Sequence, residues 1–199
     1  MTQHSQPLGP LIASRICHDL VSPLGAIANG LELLQLSGAP DSAEMALIRT
    51  SAAQALARMR LFRLAFGPTE ADQIIRAQDI QDILDAVHAE GRITLDLHLT
   101  KDIPSPVAQA LLLTILCVEQ ALPYGGTLTV SHPHDSWQIT ATSSRLMPDH
   151  ALWDALSGVV SWPETIPSQI HFMVLEQCLK SLESQIEKHL TETELRVSF

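Results

Sequence analysis

An imidazole held on an uncrowded helix face can act as a nucleophile, and His18 has that setting. From Leu11 to Leu36 the chain carries helical periodicity and good helix formers. With His18 as zero on a wheel of about 100° per residue, Ser14, Ser22, Gly25, Asn29 and Glu32 fall within about 40° of it. All five are polar or small, whereas a merely solvated face would carry Lys, Glu and Gln. The absence of bulk lets another protein approach the ring. Asp19 follows directly and is placed to hold the ring tautomer or accept its proton. Imidazoles ordinarily titrate near pH 6.5, so a neutral nitrogen is available at neutral pH. Arg15 lies about 60° from His18.

Two elements must position this face. The opposite side of the first helix collects Ile12, Ala13, Ile16, Leu20, Pro23, Leu24, Ile27, Leu31 and Leu34, an apolar stripe of the kind that packs in a bundle. Pro23 frees the carbonyl of Asp19 and predicts a bend one turn after His18. Ser37, Gly38, Ala39 and Pro40 signal a turn, and Asp41 with Glu44 has the form of a capping box. A second helix then runs through Met45, Ile48, Ala52, Leu56 and Met59 to Gly67 and Pro68. The product is a helical hairpin. Two such hairpins bury their apolar faces far better than one, which predicts a four-helix bundle in a homodimer.

Past Pro68 the pattern changes. Asp79 to His88 reads as a helix, Arg92 to Leu99 as a half-buried strand, and Pro104 to Leu122 as a strongly apolar helix. Strands over Gly126 to Ser131 and Trp137 to Thr142 follow, then helices over Pro148 to Leu156 and Ile170 to Leu182. Two closing strands span Gln185 to Leu190 and Glu194 to Phe199. The fold expected is α+β: residues 1–67 form the hairpin, and residues 68–199 an α/β sandwich with helices on one face.

The chain has 199 residues and a formal net charge of −10. That charge disfavours nucleic acid and anionic membranes as partners. It is uneven: residues 1–67 hold five Arg against four acids, and residues 68–199 seven basic against eighteen acidic side chains. The longest nearly unbroken apolar run, Ala110 to Val118, falls well short of the roughly 20 residues of a membrane span. The start resembles no secretory signal, so a cytoplasmic location is expected. Cys17, Cys117 and Cys178 are odd in number and dispersed, which reads as buried apolar residues rather than disulfides or a zinc site. His132, His134 and Asp135 read as a polar turn, and Trp137, Trp153 and Trp162 as packing residues.

The string HDLVSPLGAI, His18 to Ile27, resembles the H-box of sensor histidine kinases, in which an acid follows the histidine and Ser or Thr precedes Pro and Leu. The longer stretch SRICHDLVSPLGAIANGLELL resembles the ChpT-type histidine phosphotransferases, which join a helical hairpin to a degenerate kinase-like ATP-binding domain. QALPY, Gln120 to Tyr124, stands at the place of the kinase asparagine box, with Gln120 and Leu116 where metal-binding Asn residues would be. A DxGxG segment and a glycine-rich lid are missing; Ser157, Gly158 and PETIPSQIHF occupy that region.

The resemblance implies a histidine phosphotransferase. His18 would relay a phosphoryl group between receiver-domain aspartates of a two-component phosphorelay, without ATP. Asp19 would be accessory, and Arg15, Ser22, Gly25 and Asn29 would contact the partner. The implied partners are response-regulator receivers and the receiver of a hybrid histidine kinase. No cofactor of the chain's own is expected, the magnesium coming from the receiver's acidic pocket. Two other readings are an autophosphorylating kinase and a non-catalytic docking scaffold.

Overall fold

The computed structural model describes residues 8–38, 42–164 and 166–199. The turn residues Ala39 and Pro40, Asp41 of the expected capping box, the first seven residues and Thr165 lie outside them. The chain divides into two compact units: Met1–Pro68 with Asp82–Val87, and Thr69–Gln81 with His88–Phe199.

In the first unit, α1 (Leu8–Leu36) runs unbroken through Pro23, and α2 (Ala43–Phe66) packs against it. Gly25 and Gly30, in the interior of α1, each weaken the helix by up to about 1 kcal/mol relative to Ala. Gly38, at φ +81°, follows the end of α1. The N-cap of α2 is Ser42, whose Oγ accepts from the Met45 amide at 3.3 Å. At the other end the Gly67 N–H donates to the Arg63 carbonyl at 3.1 Å, and Pro68 stops the helix. Cys17 and Leu31 of α1 are buried, with Ala52, Ala57, Leu61 and Ala65 of α2.

The apolar stripe expected on α1 divides in two. Leu31 is buried and Ala13 and Leu24 are half-buried, whereas Ile12, Ile16, Leu20, Ile27 and Leu34 are exposed. By length and composition α1 could cross a membrane, which the longest uninterrupted apolar run did not anticipate. Ile16, Leu20, Ile27 and Leu34 lie opposite His18 on the wheel, whereas Leu11, Leu33 and Leu36, near the two ends of the helix, are exposed on or near the side of His18.

The second unit is built on a five-stranded sheet. Its strands are β2 (Ile93–Leu97), β4 (Gly126–Ser131), β5 (Gln138–Thr142), β6 (Glu187–Leu190) and β7 (Glu194–Ser198), in the order β2-β4-β5-β7-β6. Only β2 and β4 pair in parallel; the other neighbours are antiparallel. A separate two-stranded ladder joins β1 (Ile74–Ile75) to β3 (Ile103–Pro104). Sequence periodicity missed both strands, because two residues carry no period.

Alternation puts Leu128, Val130, Ile139, Ala141, Leu195 and Val197 on one buried face of the sheet. α4 (Ser105–Glu119) is the crossover between β2 and β4, which a parallel pair requires. It packs on β5 and β7 and against α6 (Ile170–Ser181), and is buried almost continuously from Ala108 to Val118. α5 (His150–Leu156) also belongs to this unit, while α3 (Ala77–His88) is divided, its residues Asp82–Val87 falling in the first unit. Trp153 of α5 meets Phe172 of α6 edge-on, ring centroids 5.2 Å apart. The chain is thus a helical hairpin followed by a mixed sheet with helices on one face, as expected.

Gly125 and Gly126 close the turn after α4. Gly125 sits at φ +90°, and a Cβ there would lie 2.3 Å from the Arg92 carbonyl oxygen. Only glycine fits.

Candidate functional site

His18 projects from α1 with 81% of its side chain exposed. Its Nδ1 lies 3.2 Å from Asp19 Oδ1. A carboxylate only accepts, so this contact makes Nδ1 the donor and leaves the Nε2 lone pair facing outward. The second carboxylate oxygen of Asp19 is held by Arg15, Nε to Oδ2 2.8 Å, one helical turn back. Arg15, Asp19 and His18 therefore form one chain of contacts through the two oxygens of a single carboxylate. All three are largely exposed, so the geometry orients more than it stabilises.

The surrounding face is open. Ser22 and Asn29 are exposed, and Ser14 and Gly25 half-buried. Nothing lies within 4 Å of where a Gly25 Cβ would be, so packing within this chain does not demand glycine there. Cys17, beside His18, is buried. Burial raises its thiol pKa, with the Arg63 charge opposing the rise, and the neutral thiol is a poor nucleophile. Burial likewise pushes Cys178 up to about 11 and Cys117 well above the usual range. Cys178 Sγ donates to Gln109 Oε1 at 3.2 Å.

In the second unit, the polar side chains between the end of α4 and the start of α6 are engaged within the fold. Gln120 Nε2 donates to the Ser168 carbonyl at 2.9 Å, tying the end of α4 to the turn before α6. Asp149 caps α5 through the amides of Ala151 and Leu152, and Gln169 Nε2 reaches its other oxygen at 3.4 Å. The Arg145 guanidinium lies over the Tyr124 ring, 4.6 Å from its centroid. Gly158, at φ +71°, ends α5.

Other histidines are engaged within the fold. His88 Nε2 meets Glu119 Oε1 at 2.8 Å, joining the ends of α3 and α4. His171 is buried and its Nε2 has no hydrogen-bond partner among the described residues. Burial lowers its pKa, with Glu119 pulling the other way. His132 stacks on Trp137 at 4.4 Å. Helical spacing carried none of these pairs, since each joins different elements or lies across a turn.

A family model for the histidine phosphotransferase C-terminal domain matches residues 77–194. The protein phosphotransferase ChpT of Brucella abortus (strain 2308) is 38% identical over 132 residues. That match spans 65% of this chain and 63% of the relative's length. Among solved structures, a bacterial phosphotransferase aligns with a TM-score of 0.67 at 28% identity, covering 100% of this chain and 98% of the other.

Proposed function

The chain belongs to the histidine phosphotransferase family, and on that premise we propose that His18 accepts a phosphoryl group from the phospho-aspartate of one receiver domain and passes it to the aspartate of another. The observation that carries the proposal is the exposed imidazole of His18, with Nδ1 engaged by Asp19 and Nε2 free on a face without bulk. Nε2 attacks phosphorus in line with the acyl oxygen. The N–P bond forms as the O–P bond breaks, and the carboxylate leaves on the donor. The ring then carries a positive charge with its proton on Nδ1, and Asp19 faces that proton. The return step reverses these events on the second receiver.

Such transfer asks the protein for positioning and charge stabilisation more than for covalent machinery. Arg15 holds Asp19, and Ser22, Gly25 and Asn29 line the face offered to the partner. The magnesium comes with the receiver's acidic pocket in this reading. ATP is not the donor in this reading: Gln120 and Leu116 stand where a kinase would carry metal-binding Asn, and the DxGxG segment and glycine-rich lid are missing from the sequence.

The protein acts as a homodimer in this proposal. Ile12, Ile16, Leu20, Ile27 and Leu34 stay exposed along one line of α1, and a second hairpin would cover them in a four-helix bundle while leaving His18 outside. A cytoplasmic location accords with receiver partners.

The test is transfer without nucleotide. A receiver domain radiolabelled on its aspartate with acetyl phosphate is mixed with the protein. Label should move to the wild type and not to His18→Ala, and ATP alone should label neither. Self-labelling by ATP, or full transfer to His18→Ala, would refute the proposal.

A further inference from the structure

Several basic side chains are held by carboxylates of their own unit, Arg15 by Asp19 in the hairpin among them. In the second unit Arg76 pairs with Asp79, Lys180 with Glu176, Lys188 with Asp154 and Arg196 with Glu194. In the hairpin, Arg60 and Arg63 are exposed and have no carboxylate partner among the described residues. Three residues apart, they lie about 60° from one another and share a side of α2.

That side is level with His18. In an antiparallel hairpin, residues equally far from the turn stand beside each other. His18 lies 18 residues before the end of α1 at Leu36, while Arg60 and Arg63 lie 17 and 20 residues after the start of α2 at Ala43. At about 1.5 Å per residue all three are within about 5 Å of one height. The Arg63 charge also acts on Cys17, the neighbour of His18.

A phospho-aspartate set in an acidic pocket is an anionic partner, and this chain has a net charge of −10. Two such bodies repel unless like meets unlike where they touch. We propose that Arg60 and Arg63 form a cationic surface beside His18 that steers the acidic face of a phosphorylated receiver onto the imidazole, setting the rate of encounter rather than of chemistry. This rests on the phosphotransfer reading above.

The test uses the full chain and a receiver domain phosphorylated with acetyl phosphate, mixed by rapid quench over a range of salt. For Arg60→Gln/Arg63→Gln the second-order transfer rate should fall about tenfold at low salt, within the range for electrostatic steering. Its salt dependence should flatten, and the rate at saturating receiver should match the wild type. At roughly 0.3 M salt, where screening lengths are only a few ångströms, the two proteins should converge. The control, Arg92→Gln/Lys101→Gln, removes the same charge from the second unit and should change the rate less than twofold.

An unchanged rate and salt slope in the double variant would overturn the proposal, as would an equal loss in the control or a loss confined to the saturated rate. Failure of the wild type to take label at all would instead strike the phosphotransfer reading itself.

Discussion

Replacing Asp19 separates two things its carboxylate does for His18. Asp19→Asn keeps an oxygen able to accept from Nδ1 but removes the charge; Asp19→Ala removes both. Hydrogen bonds to charged groups contribute about 1.5–3 kcal/mol when sheltered. Here the side chains are 81% and 48% exposed and the contact is 3.2 Å, so solvent screening cuts the effect to about 1 kcal/mol. Since about 1.4 kcal/mol is a factor of ten in rate, Asp19→Asn should slow single-turnover transfer about fivefold. Asp19→Ala should be slower again, because nothing then keeps the proton on Nδ1 and the Nε2 lone pair is no longer guaranteed. The assay is quench-flow transfer at saturating phosphorylated receiver, with nitrogen NMR of the His18 ring to read the tautomer. Rates within twofold of wild type for both variants, or a ring that keeps Nδ1–H in Asp19→Ala, would refute the argument.

Three further outcomes follow from the geometry. Ile16→Asp/Ile27→Asp places charges on the exposed stripe of α1 and should convert the protein to a monomer by light scattering with its helix content kept; an intact dimer would move the interface elsewhere. The lowered pKa of His171 means that the unfolded chain binds its proton more readily, so stability is full above about pH 6.5 and falls as acid passes through the lowered value. Urea midpoints should show that decline, and His171→Phe should flatten it; an unchanged acid limb would exclude His171 as its source. Gly125→Ala forces a Cβ toward the Arg92 carbonyl at a positive φ, costing about 2 kcal/mol or more and lowering the melting temperature by several degrees; an unchanged melting temperature would show that the turn relaxes freely.

Much of this site could be read from the amino-acid order, because one helix carries it. Spacing alone put His18, Ser22, Gly25 and Asn29 on one side, and the exposure of the ring followed from the apolar residues opposite. The same wheel could not divide those apolar residues between the fold's own core and a second chain. Leu31 inside and Ile27 outside are both plain hydrophobes. Nor could it choose the use of Arg15, whose reach includes both a partner and Asp19; the 2.8 Å contact shows what it holds here. In the second unit, alternation located the longer strands to within a residue or two. It was blind to β1 and β3, to the parallel pairing of β2 with β4, and to links such as His88–Glu119 that join positions 31 residues apart.

The openness of His18 also bears on how long a signal can be kept. A phosphoramidate formed on a ring with four-fifths of its surface in water has no lid, buried cation or dry pocket among the described residues to shelter it from hydrolysis. Under the proposed function the protein is therefore a conductor and not a reservoir, and its charged fraction tracks the donor from moment to moment. Once the donor is removed, the modification should decay without any accepting partner. A long-lived phosphohistidine in the isolated protein would refute this reading.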